Sequence, residues 1–184
     1  MVADNATVRS GQSDFTDLAA AISSSGADVV FYGGYYAEAG PLVKQMRAAG
    51  ARATFVAGDG VWDPGFVQLA GEKAAEGSVV TCPCMPPQRV KGPFYQGFKA
   101  AFGGEPRPYA AEAYDAVQIL LSGIEAGNRT RASLLAYVNS YDADGLTGHL
   151  KFDSRGERPQ NSENVWAYRV IDGQFTADTA IGRD

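Results

Sequence analysis

Two polar side chains in the first third of the chain stand where ligands are commonly received. Tyr35 follows the glycine pair of "VVFYGGYY", and Asp59 lies within "VAGDGVW", each just after an apolar run. A carboxylate can meet a cationic group, and a phenol can both stack and hydrogen bond, so the pair suits a small polar ligand with an apolar part. Each residue also has an ordinary alternative. Asp59, between turn-forming glycines, can satisfy its own backbone, and Tyr35 can simply pack at a helix entry. Gly33 and Gly34 allow the close backbone approach that such a turn requires. Tyr36 is read as structural.

Catalysis has little to build from. The single histidine, His149, has no carboxylate or serine at a triad spacing, and neither a G-x-S-x-G nor a P-loop occurs. The only cysteines, Cys82 and Cys84 in "TCPCMPP", are separated by one proline. That spacing is too close for an easy disulfide, and with one histidine the set falls short of a closed zinc site. Two thiols, no metal, no cofactor and no enzymatic activity are expected. Glu112, Asp115 and Glu125 share a helical stretch and read as its solvated face.

Composition excludes other classes. A formal net charge of -5 over 184 residues, without a basic run, argues against nucleic acid. No apolar run approaches the roughly 20 residues that cross a bilayer. "MVADNATVRSG" has no apolar core of a signal peptide, so none is expected in this chain.

The elements that must position Tyr35 and Asp59 follow from periodicity. "ATVRSG" reads as a short strand, and "SDFTDLAAAISSSG" as a helix capped by Ser13 or Asp14, with Phe15, Leu18, Ala19 and Ile22 on one face. "ADVVFYGG" is an apolar run suited to a strand covered on both faces. A helix through "EAGPLVKQMRAAGA", a strand in "RATFVAGDG", a helix capped by Asp63 with Pro64 at its first position, and a strand in "EGSVVTCP" complete the series. This alternation predicts an α/β fold with a Rossmann-like, doubly wound parallel sheet, whose ligand lies beyond the carboxyl ends of the strands. Tyr35 and Asp59 fall at those ends, one element apart.

After Thr81 the texture changes. "CPCMPPQRVKGP" reads as a crossover, followed by helices in "PFYQGFKAAFG", "YAAEAYDAVQILLSGIEAG" and "RASLLAYVNSY", then a β section in "TGHLKFDSRGERPQ" and "NVWAYRVIDGQF". The apolar faces of these helices need a sheet, and few strands remain to supply one. Either the β section joins the first sheet, or strands outside this chain complete a second lobe.

In this order and spacing, "DVVFYGGYYAEAGPLVKQMRAAG", "FVAGDGVWDPGFVQLAGEKAAEGSVVT", "PYAAEAYDAVQILLSGIEAG" and "GLTGHLKFDSRGERPQNSENVWAYRV" resemble the C-terminal half of the branched-chain amino-acid (Leu/Ile/Val-type) binding proteins of the type I periplasmic binding protein family. The resemblance implies two Rossmann-like lobes with the amino acid between them. Residues 1–81 and 163–184 would form the C-terminal, ligand-binding lobe, and 82–162 a portion of the N-terminal lobe, with crossovers near 82–92 and 155–163. The N-terminal half would be missing, which accounts for the helices without a sheet.

Residue by residue, the resemblance implies that Tyr35, beside Gly34, packs against and hydrogen bonds the ligand's main-chain end. Asp59 stands where the family commonly has a glutamate that pairs with the α-ammonium. Tyr109 covers the ligand's side chain, or staples the start of the long helix. Trp62 lines the cleft rim or caps the core. The implied function is the non-catalytic substrate-binding component of an ABC transporter, periplasmic or extracellular and lipid-anchored, which delivers an amino acid to permease subunits. A ligand-sensing domain of a receptor or transcriptional regulator is the alternative on the same fold. Apolar lobe surfaces left uncovered would favour a homodimer or a domain-swapped association.

Overall fold

Three apolar runs form Val29–Tyr32 (β1), Thr54–Ala57 (β2) and Val79–Cys82 (β3), paired in parallel in chain order. The structure, a computed structural model, is described over residues 4–158 and 165–181. Of these, 4–83 with 165–181 make one compact unit and 84–158 another.

In the first unit, helices Thr16–Ser25 (α1), Tyr36–Ala48 (α2), Pro64–Ala70 (α3) and Glu72–Ala75 (α4) alternate with the strands. Asp63 caps α3 by accepting the Gly65 amide at 2.7 Å, with Pro64 in the first turn. Asp14 accepts from the Thr16 amide and hydroxyl ahead of α1, although the cap position itself falls to Phe15. The segment "ATVRSG" is not a strand: it runs as irregular backbone and a turn.

The sheet is mixed. Trp166–Ile171 (β6) pairs antiparallel with β3, and Gln174–Ala180 (β7) antiparallel with β6, giving the order β1-β2-β3-β6-β7. So the second part of the late β section, "NVWAYRVIDGQF", joins the first sheet, whereas the strand in "TGHLKFD" lies in a separate two-stranded sheet. This leaves β1 on an edge, and the expectation that it is covered on both faces fails: Val29 and Phe31 are 55% and 72% exposed while Tyr32 is buried. An apolar run alone does not distinguish a central strand from an edge strand that lacks its neighbour.

Phe15, Leu42, Met46, Phe55 and Phe66 are buried beneath the helices, each contributing about 1.5–3 kcal/mol of transfer free energy. Tyr32 stacks on Phe55, and Phe55 on Phe66, at centroid distances of 5.9 and 5.8 Å.

The second unit holds Phe94–Phe102 (α5), Ala110–Glu125 (α6), Arg131–Asn139 (α7) and a two-stranded antiparallel hairpin of Asp142–Gly145 (β4) with Gly148–Lys151 (β5). Of the acidic residues of α6, Glu125 is exposed as expected, but Asp115 and Glu112 are not simply solvated. Asp115 is buried and accepts from the amides of Leu146 and Thr147 and from the Thr147 hydroxyl, at 2.8–2.9 Å, which fastens the hairpin turn to the helix. Glu112 accepts the Met85 amide at 2.9 Å. On the remaining surface of α6, Tyr114, Val117, Leu120, Leu121 and Ile124 are exposed.

Cys82 and Cys84 are a second correction, since they are joined as a disulfide rather than left as thiols. Both are buried where β3 ends, and the irregular backbone at Pro83 turns the two side chains toward each other. The later crossover expected near 155–163 lies outside the described residues from 159 onward.

Candidate functional site

The parallel register places Tyr32 beside Ala57 at the carboxyl ends of β1 and β2. Each chain then enters a turn, Gly33-Gly34-Tyr35 before α2 and Gly58 followed by the 3₁₀ turn Asp59–Val61. These turns touch. A Cβ at position 60 would lie 2.6 Å from the Gly34 carbonyl oxygen and 3.1 Å from Cδ1 of Tyr35. A Cβ at position 34 would in turn run into the phenol of Tyr32. Glycine at position 60 lets the carboxylate turn and the phenol turn abut, and glycine at position 34 leaves room for the Tyr32 phenol.

Tyr35 is 71% exposed, and Asp59 is exposed as well, although it lies in a hydrogen-bonded turn. An aromatic ring this open at a strand end contributes nothing to the core beneath it. Beside it lies a hollow of about 390 Å³, whose lining includes Thr7, Arg9, Phe31, Gly34, Tyr35 and Glu38. Glu38 is buried and accepts the Gly11 amide at 2.7 Å. Burial, followed by the Glu38 charge, raises the pKa of Tyr32, so that phenol stays protonated. Arg9 and Glu38 therefore put one positive and one negative group beside Tyr35, which the sequence reading did not include. The available signal was weak: a lone arginine before a glycine turn, and a glutamate in the first turn of a helix.

The other expected residues sit differently. Trp62 stacks on Tyr168 at 3.8 Å between centroids and meets Phe175 edge-on at 6.4 Å, so its ring is committed to the aromatic packing of the first unit. Tyr109 belongs to the second unit. It precedes α6 with φ 65, a left-handed conformation that is uncommon for a non-glycine residue and costs on the order of 1 kcal/mol. His149, expected to lack carboxylate neighbours, has two: Asp144 at 2.9 Å from Nδ1 and Asp142 at 2.8 Å from Nε2. Among the described residues, no group of three or more His, Cys, Asp or Glu side chains could hold a metal ion.

Abutting glycine turns at the carboxyl ends of neighbouring parallel strands, with an exposed carboxylate and an exposed phenol, stand where open α/β sheets commonly receive ligands. The chain belongs to the periplasmic binding protein family, which it matches over residues 2–174. It is 31% identical over 155 residues to the leucine-specific-binding protein of Salmonella typhimurium, covering 82% of this chain and 41% of that protein. It is 30% identical over 151 residues to the Leu/Ile/Val-binding protein of Escherichia coli K12, with the same coverage. Among solved structures, a leucine binding protein LivK from Thermotoga maritima aligns with a TM-score of 0.82 and 28% identity, over 95% of this chain and 50% of that one. The branched-chain amino acid transporter substrate binding protein LivJ from Streptococcus pneumoniae, solved in complex with isoleucine, aligns at 0.79 and 25%, over 92% and 49%. The chain thus spans about 41% of the length of these curated relatives.

Proposed function

We propose that the chain is the C-terminal part of a solute-binding protein that captures an amino acid with a branched aliphatic side chain and presents it to an ABC permease. The carrying observation is the contact of the Gly34-Tyr35 and Asp59-Gly60 turns at the ends of β1 and β2, in a chain about 30% identical to leucine and Leu/Ile/Val binding proteins. In this reading Asp59 meets the ligand ammonium, and Tyr35 packs on the main-chain end and hydrogen bonds it. The disulfide between two buried cysteines supports the periplasmic or extracellular location, because such bonds persist in oxidising compartments. In this reading the protein works by binding and not by catalysis, in keeping with relatives that are named for what they bind.

Calorimetric titration of the full-length protein that contains this chain with leucine, isoleucine and valine tests the proposal, with glutamate, phenylalanine and glutamine for contrast. Saturable heat with the aliphatic set, lost in Asp59→Asn, supports it. No heat with any amino acid, or turnover of one, overturns it.

A further inference from the structure

The only histidine of the chain stands on an element that the proposed ligand site does not use. In the β4–β5 hairpin, Asp144 is opposite His149 and Asp142 is opposite Lys151, so these four side chains share one face. Ala143 and Leu150 take the other face, where Leu150 is buried. Both ring nitrogens of His149 lie within hydrogen-bond distance of a carboxylate oxygen, Nδ1 at 2.9 Å from Asp144 and Nε2 at 2.8 Å from Asp142. A neutral imidazole carries one proton and can donate only one of these bonds; the other would set a nitrogen lone pair against an oxyanion. Only the imidazolium makes both.

The surrounding charges sharpen the dependence. The Lys151 ammonium holds the second oxygen of Asp142. With His149 protonated, the face carries two cations and two anions; with it neutral, Asp144 loses its counter-charge. Arg158, on the segment after β5, donates to the His149 carbonyl at 3.3 Å and not to the ring. From α6, Asp115 is engaged by the turn amides of Leu146 and Thr147. Among the described residues, Asp142 and Asp144 are the carboxylates that pair with the ring.

We propose that His149 is a proton-operated latch on the β4–β5 hairpin: a bound proton lets the ring bridge Asp142 and Asp144, tying β5 to β4, and its loss releases one of the two ties. The two carboxylates, Asp144 foremost and then Asp142, hold the His149 pKa above the ordinary imidazole value. Because the folded pKa is raised, the stabilisation is complete below the unfolded value of about 6.5 and fades as pH rises through the folded pKa. The hairpin is therefore tightest on the acid side of neutrality. Since Arg158 is anchored to the His149 carbonyl, the segment that leaves β5 tightens with it.

Because the chain has one histidine, its imidazole resonances can be titrated by NMR without assignment ambiguity. The expected midpoint lies above the ordinary value and falls in both Asp144→Asn and Asp142→Asn. Amide hydrogen exchange in 142–151, corrected for the intrinsic pH dependence, should be slower below the midpoint than above it, and His149→Gln should abolish that difference. A midpoint at or below about 6.5, or unchanged in both Asn variants, overturns the latch. So does hairpin protection that is independent of pH in the parent chain.

Discussion

Asp59 and Tyr35 carry the binding proposal unequally. A carboxylate facing an ammonium is a charge-assisted contact, so Asp59→Asn, which keeps the shape, should weaken amino-acid binding by about 1.5–3 kcal/mol, roughly ten- to a hundredfold in Kd. Tyr35→Phe removes only a neutral hydrogen bond and should cost about 0.5–1.5 kcal/mol, both read by calorimetry. Gly60→Ala forces a Cβ against the Gly34 carbonyl. It should lower stability by about 1–3 kcal/mol in a denaturant titration and weaken binding as well, by separating the turns. These turns were legible in the sequence because glycine, tyrosine and aspartate stood directly after apolar runs. The environment of His149 was not, because its partners are set by cross-strand register. The signal was there in retrospect: Asp-x-Asp and His-x-Lys are disposed symmetrically about Leu146 and Thr147.

At the scale of elements, the hairpin and α6 depend on Asp115. Its carboxylate takes three donors across some thirty positions of sequence, and a helical periodicity cannot reveal such a partner. Asp115→Ala leaves those donors without an acceptor in a buried place and should destabilise the second unit by about 1–3 kcal/mol per unsatisfied group that water does not reach. The measurement is the denaturant midpoint, together with loss of exchange protection at Leu146 and Thr147. Most helices and the strands β1 to β3 and β5 to β7 were readable as elements from period and turn chemistry, but β4, whose "DADG" has no apolar alternation, and the break between α3 and α4 at Gly71 were not. Which of them pair was less so: the antiparallel entry of β6 beside β3 is a long-range choice, and the edge position of β1 follows from it.

At the scale of the whole molecule, apolar side chains are exposed in several places among the described residues, and two of these bear on association. One is the open face of β1, with Val29 and Phe31, and the other is the surface of α6, with Val117 and Leu121. Exposed apolar surface favours association. The 184-residue chain should accordingly show a weight-average mass that rises with concentration in sedimentation or light scattering. Val117→Glu with Leu121→Glu should shift it toward the monomer, and an unchanged mass would place the association elsewhere. The ring of Trp62 against Tyr168 has a different use. Trp62 directly follows the Asp59–Val61 turn, so any ligand that reorders that turn changes the surroundings of an indole. The protein thereby carries its own optical reporter: selective excitation of tryptophan should register occupancy as a change in emission, with no dye attached, and Trp62→Phe should silence it.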